Sequence, residues 1–424
     1  MAKIPFGYER LEGSQRVARG GARLAGRADG DEKLSVTIRV RRRPDAAALP
    51  DMEYWVKTPP GQRTFLSREE FATLYGAAQA DLDRVAEFSR GHGLSVTEMS
   101  VGQRLVMVSG TGAQVSRAFA VELGRYESPT ESYRGYEGFI HVPTDLAGLI
   151  EGVFGLDNRK MARHSSNGGP YGANPLKPPQ VAQLYNFPPG NQSGAAKQTI
   201  GVLEFGGGID VNDVYAFCAH LGLPKPSVYP VPVDGAPTSL QGTSMNPVNA
   251  DIEVALDTEV VASVALGVNI AVYFGPPTEQ GWVDVVKQAI SGEGLPQGWS
   301  APSVLTCSSG WPENVMFKPF EWTQQAVSDV SESFQEAATQ GVTTFVASGD
   351  WGSDANVGDG LAHVQYPSSD PWVTACGGTE ITGTSPLQEE TWNDEGDSDP
   401  GATGGGISEM IPVPHGKWEL FPIP

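Results

Sequence analysis

From residue 199 onward the chain repeats one pattern, a short apolar run bounded by glycine and then a segment of helical spacing. The runs are TIGVLEFGGG, NIAVYFGP, SVLTCSSG, TTFVASGD and WVTACGG. Among them stand the helical patterns DIEVALDTEVVASVA, WVDVVKQAI and AVSDVSESFQEAATQG. Strands apolar along their whole length have both faces buried, and a helix between successive strands joins them in parallel. The pattern predicts an α/β domain, a parallel sheet with helices on both faces. In such sheets the active site lies at the carboxyl ends of the strands.

The first part of the chain reads differently. Leu34, Val36, Ile38 and Val40 alternate with polar residues, the period of a half-buried strand. Ser67 with Glu70, and Thr111 with Gln114, have the spacing of capping boxes at helix starts. LSVTEMS and RLVMVSG read as paired strands, and AFAVELGRYES as a final one. The order β-α-β-β-α-β predicts a ferredoxin-like α+β domain over residues 1–157. Residues 158–180, NRKMARHSSNGGPYGANPLKPPQ, are rich in Gly, Pro, Ser and basic side chains, which predicts an exposed, protease-accessible linker. The parallel-sheet domain then covers 181–424.

Charge divides at the same place. Residues 1–166 carry 23 Lys and Arg against 21 Asp and Glu, whereas residues 167–424 carry six against 29. So acidic a second part repels phosphates, which argues against nucleic acid and anionic membranes as partners. It also suits acid conditions, where protonation relieves its self-repulsion. Cys218, Cys307 and Cys376 form no CxxC pair, so no zinc site or disulfide framework is legible. The stretch MAKIPFGYERLEGSQRVARG has no apolar signal core, and no run of about 18 apolar residues occurs.

Chemistry concentrates in carboxylates. Glu253 and Asp257 are four residues apart and share a helix face with Val260, Val261 and Val264, while the flanking Asp251 and Glu259 read as solvated. Two carboxyls on an apolar face are costly unless they share a proton, as acid-tuned catalytic pairs do. Asp350 ends TTFVASGD on a glycine turn and faces the expected crevice, although a turn aspartate is a common structural device. Glu204 ends TIGVLEF before GGG; that turn lacks the Lys-Ser/Thr of a phosphate loop, and Glu204 can instead extend the proton network of the helix pair.

The runs EVALDTEVVASVALGVNIAVYFGP, VASGDWGSD, DGLAHVQYPSSDPWVTACGGTEI, ETWND and ATGGGISEMIPVP resemble the sedolisin family of serine-carboxyl peptidases, its kumamolisin-type members above all. SREEF, SRAFAVELGRYE, YRG and GLDNR likewise resemble that family's activation domain. The resemblance implies a subtilisin-like domain made behind a self-cleaved pro-domain, in a secreted, monomeric acid endopeptidase acting on proteins or peptides. It implies that Glu253 is the general base, Asp257 its orienting partner and Asp350, as a neutral acid, the oxyanion donor. Ser308, Ser309 and Gly310 match the strand that pairs with substrate main chain, a β-augmentation mode. Ser309 stands where close relatives carry a tryptophan, with Trp311 displaced, and Ala255 where they carry a glutamate. A carboxylate of ordinary pKa near ~4.3 still accepts protons at acid pH, where histidine does not.

The family's nucleophilic serine follows the oxyanion aspartate in a GTS segment, and a calcium loop comes after it. Ser385 in ITGTSPLQ reads as a hairpin tip, and Ser244 in QGTSMNP as part of a loop entering the Glu253 helix. The expectation is that serine segment and calcium ligands would lie beyond Pro424, leaving no metal site within the chain and no hydrolysis by these 424 residues alone. A non-catalytic alternative is a homologue whose pro-domain binds or inhibits active relatives.

Overall fold

A computed structural model describes residues 4–164, 176–188, 198–242, 245–313, 321–394 and 401–411. Its first layer is a four-stranded sheet of β1 (Lys33–Val40), β2 (Ser95–Ser100), β3 (Leu105–Thr111) and β4 (Ile150–Phe154) in the order β2-β3-β1-β4, every neighbour antiparallel. Helices α1 (Gln79–Gly91) and α2 (Gly112–Ala118) pack on it through Leu82, Val85, Ala86, Val115 and Ala118. Both predicted capping boxes form, Ser67 with Glu70 and Thr111 with Gln114. The expected last strand is corrected. Gly124–Glu127 joins a separate three-stranded sheet with Arg23–Arg27 and Ser132–Gly135, and Ile150–Phe154 takes the place beside β1. Val153 and Phe154 are almost fully buried there, whereas Gly124–Glu127 alternates polar arginine and glutamate with buried residues and suits a one-sided sheet.

The second layer is a six-stranded parallel sheet. Its strands are β5 (Thr199–Phe205), β6 (Ser227–Pro232), β7 (Asn269–Gly275), β8 (Val304–Cys307), β9 (Thr343–Ala347) and β10 (Thr374–Cys376), in the order β6-β7-β5-β8-β9-β10. The apolar runs form these strands as their composition requires. SVYPVP, which no periodicity singled out, becomes the edge strand β6. Edge placement accommodates its two prolines, since an edge leaves N–H positions that need no ladder partner.

Helices α3 (Val211–His220) and α4 (Met245–Val264) cover one face of this sheet through Val214, Cys218, Val254 and Ala262. Helices α5 (Glu279–Ser291) and α6 (Gln324–Thr339) cover the other through Trp282, Val286, Val330 and Phe334. The four-stranded sheet lies on the outer side of α5 and α6, so α5 is buried on nearly every side. Polar groups cross this contact: the Thr37 hydroxyl donates to Asp284 at 2.6 Å, Arg39 pairs with Asp329 at 2.6 Å, and the Gln325 amide donates to the Val153 carbonyl at 3.0 Å. No described helix is long and apolar enough to cross a membrane.

The start of the predicted linker is only partly exposed: Asn158 and Lys160 face solvent, but their neighbours do not. Arg159, Met161 and Ala162 are buried; the Trp282 indole donates to the Met161 carbonyl at 2.8 Å, and Arg159 is held by Asp157 at 2.8 Å. Residues 165–175 lie outside the described residues, and a helix begins at Pro178 (Pro178–Leu184). The basic and polar composition hid this anchoring, because Asp157 and the α5 indole satisfy it only after folding.

Candidate active site

Three elements aim carboxyls at one place. Glu204 is the sixth residue of β5, fully buried just before the turn at Gly206. Glu253 and Asp257 project from α4 toward the sheet, Glu253 being 5% exposed. Asp350 follows β9, where the backbone passes through Gly349 at φ +101°; a Cβ at Gly349 would stand 2.6 Å from the Gln365 side chain, so glycine alone fits. Ser308 lies between β8 and the next strand, and its hydroxyl bonds to Asp257.

The α4 face differs from its sequence reading in two respects. Val260 is 40% exposed with Ile252 and Leu256, so the carboxyls share the inward side with Val254 and Ala262 rather than with Val260. Asp251 is buried and accepts from the backbone N–H of Gln241 and Gly242 at 3.0 and 3.1 Å, tying down the loop ahead of the helix; Glu259 is half-buried. Ser244 lies outside the described residues, and Ser385 sits at the tip between strands Thr379–Thr384 and Leu387–Thr391.

Burial dominates the electrostatics. It pushes Glu253 up to about 8, with the Asp257 and Asp350 carboxyls adding to the effect. It raises Asp257 to about 6, against hydrogen bonds from Ser308 and Glu204 that pull it down, and Asp350 to about 6. Glu204 is held well above the carboxylate range by burial, then by Asp257 and Glu253, and keeps its proton to donate to Asp257. The expectation of an ordinary pKa for Glu253 is therefore corrected: three neighbouring carboxyls in a dry site cannot all ionise. The group can store and pass protons, and it stays neutral at acid pH.

The titration has a consequence for stability. A raised carboxyl stabilises the fold fully below its unfolded value, 4.5 for Glu253 and 3.8 for Asp257 and Asp350, and loses that contribution as pH rises through about 8 and about 6. Glu332, depressed to about 2 by its arginine partners, works in the opposite direction and is lost between 4.5 and 2. The thermal midpoint should therefore peak between pH 4 and 5 and fall by about 5 °C or more by pH 8. Scanning calorimetry across that range checks this, and a midpoint highest at pH 7 or above would contradict it.

Beside the carboxyls runs the strand Ser309–Pro312. Arg163–His164 pairs with it antiparallel, Arg163 opposite Gly310 and His164 opposite Ser309. On its other side Trp311 and Pro312 pair with Tyr366 and Gln365. Gly310 is needed by close approach, since a Cβ there would stand 2.7 Å from the Gln365 amide oxygen. The residues just after the first domain thus lie on the Ser-Ser-Gly edge, a contact that sequence reasoning missed. SSGWP is the only local signal for it. Among the described residues no cluster of three or more His, Cys, Asp or Glu side chains is arranged to hold a metal ion.

Residues 20–159 match the family model described as pro-kumamolisin, activation domain. The chain is 35% identical to kumamolisin of Bacillus sp. (strain MN-32) over 434 aligned positions, which cover 98% of this chain and 73% of the relative. It is 30% identical to tripeptidyl-peptidase sed5 of Aspergillus fumigatus, covering 95% and 73%. The solved structure of Pseudomonas sedolisin, a serine-carboxyl proteinase complexed with pseudo-iodotyrostatin, aligns with 23% identity and a TM-score of 0.46, over 57% of this chain and 65% of that one.

Proposed function

Because the chain belongs to the sedolisin family of serine-carboxyl peptidases, we propose that it is the precursor of an acid-acting endopeptidase that works outside the cell. The observation that carries this reading is the convergence of Glu204, Glu253, Asp257 and Asp350 beside a strand already paired with the chain's own segment. In the proposed reaction Glu253 takes the proton of a serine hydroxyl that attacks the peptide carbonyl, and later returns it to the leaving amine. Asp257 orients Glu253 and shares the proton with Glu204. Asp350, protonated below about pH 6, donates a hydrogen bond to the developing oxyanion.

The ferredoxin-like arrangement of the first layer serves as the pro-domain, and Arg163–His164 lies where a substrate strand would lie, opposite Ser309 and Gly310. In this docked state burial keeps Glu253 protonated, so the base is silenced as well as covered. Departure of the segment admits water, which lowers the Glu253 pKa and frees it to accept a proton. Latency then follows from desolvation together with obstruction.

The test is hydrolysis of denatured protein between pH 3 and 7, by the 424-residue chain and by the product of the reading frame read through codon 424. The chain by itself is expected to cut nothing. A product bearing such a serine should cut only below about pH 6 and should process itself within residues 158–180. Activity that rises toward pH 7, or maturation at another site, would refute the assignment.

A further inference from the structure

Arg163 does more than continue a strand. Its guanidinium carbon stands 5.7 Å from the centroid of the Trp311 ring and 5.6 Å from that of Trp351, and its Nη2 donates to the carbonyl of Ala355. Trp311 comes from the edge strand itself, and Trp351 is the residue after Asp350. The carbonyl is presented by an unusual stretch of backbone: Ala355 and Asn356 are both left-handed, at φ +49° and +57°, and Ala355 is buried. Non-glycine residues held this way cost energy and gather where a loop presents a group for binding. Burial pulls the Arg163 pKa down, and the nearby Asp354 charge opposes that.

We propose that the space between Trp311 and Trp351, closed by the Ala355 carbonyl, is a side-chain subsite of the peptide cleft that selects arginine at the substrate position paired with Gly310. The proposal rests on reading the Ser309–Pro312 edge as the substrate strand. Two indole faces attract a flat, delocalised cation, and the carbonyl takes one N–H of its fork. Lysine fits less well. Its ammonium is strongly hydrated, and with Asp354 near but not paired to it, desolvation would drive off its proton. Neutral side chains forgo the attraction to the rings altogether. Arg163 is thus the chain's own occupant of a site that substrates fill after it leaves, and Arg19, 4.7 Å above Trp311, withdraws with the pro-domain.

Arg163→Ala empties the subsite without touching the carboxyls, and small probes can refill it. Ethylguanidinium, ethylammonium and ethylurea are titrated into the 424-residue chain and followed by tryptophan fluorescence. Ethylguanidinium should bind the Arg163→Ala protein saturably and at least about tenfold more tightly than either of the others. It should not bind the parent chain, whose subsite is full, nor Arg163→Ala combined with Trp351→Leu. Equal affinity for ethylurea, or binding that survives Trp351→Leu, would overturn the subsite. None of this requires hydrolysis, so a chain that proves not to be a peptidase fails elsewhere. Where hydrolysis is found, cleavage maps should show arginine enriched at the position paired with Gly310, and an even spread of side chains there would remove the subsite while sparing the peptidase.

Discussion

Glu253→Gln should abolish self-processing and reduce peptide hydrolysis at pH 4 by on the order of 10⁴-fold or more, in a product that carries the serine. Glutamine keeps the shape and hydrogen-bonding capacity of the side chain but cannot accept a proton, so the serine loses its base. Removing the base of a catalytic serine costs about as much as removing the whole constellation. A folding defect would mimic this loss, and pH separates the two. Glutamine carries no charge to desolvate, so the variant should be more stable than the parent at pH 8, where the parent's Glu253 begins to ionise in its dry site, and equal to it at pH 4. Asp350→Asn should behave differently. Its amide donates a hydrogen bond at every pH, so hydrolysis should persist above about pH 6, where the parent loses the protonated aspartate. Normal processing by Glu253→Gln would remove the helix pair from the mechanism.

Arg104→Ala should cost about 3–5 kcal/mol of stability near pH 6, the usual consequence of removing one member of a buried ionic cluster. Arg104 is fully buried at the end of the first layer. Its guanidinium binds Glu332 and lies 3.5 Å from Glu336, both on α6, and it also meets Glu151 at 2.7 Å and the Val40 carbonyl at 3.2 Å. Burial opposes ionisation of Glu332, but Arg104 and then Arg42 and Lys287 hold it down to about 2. Without Arg104, Glu332 keeps Arg42, and Glu336 keeps Arg42 and Lys287, as ion-pair partners among the described residues. The loss should shrink as pH falls from 4.5 toward 2, because the carboxyls that needed Arg104 become neutral in variant and parent alike. Urea midpoints at pH 6 and pH 3 measure the difference. A cost independent of pH would mean that packing of the side chain, and not its charge, matters here.

Much of this molecule was legible from local chemistry. Runs such as TIGVLEF and NIAVYFG have no polar face to offer water, so they form interior parallel strands wherever the rest of the chain goes. Capping boxes at Ser67 and Thr111 act within four residues and formed as written. Glu253 and Asp257 share a face because α-helical spacing requires it, and Glu204 and Asp350 point to the same end because both leave parallel strands there. The four-carboxyl site was therefore open to reading before any coordinate was known.

What the sequence could not determine depends on partners far apart in the chain. Gly124–Glu127 and Ile150–Phe154 are both acceptable strands, and only burial against α6 selected the second as the neighbour of β1. Asp251 looked solvated until the Gln241 and Gly242 amides folded over it. Glu253 had the composition of an ordinary carboxyl, and its pKa of about 8 arose from exclusion of water and from Asp257 and Asp350, the latter nearly a hundred positions away. Arg163 belonged to a basic, loop-like stretch whose composition predicted exposure; pairing with Gly310 and cation–π contact with two indoles placed it in the cleft. Propensity and periodicity act over a few residues and fix which elements form, whereas desolvation and long-range pairing depend on what else occupies the same space, which only the folded chain determines.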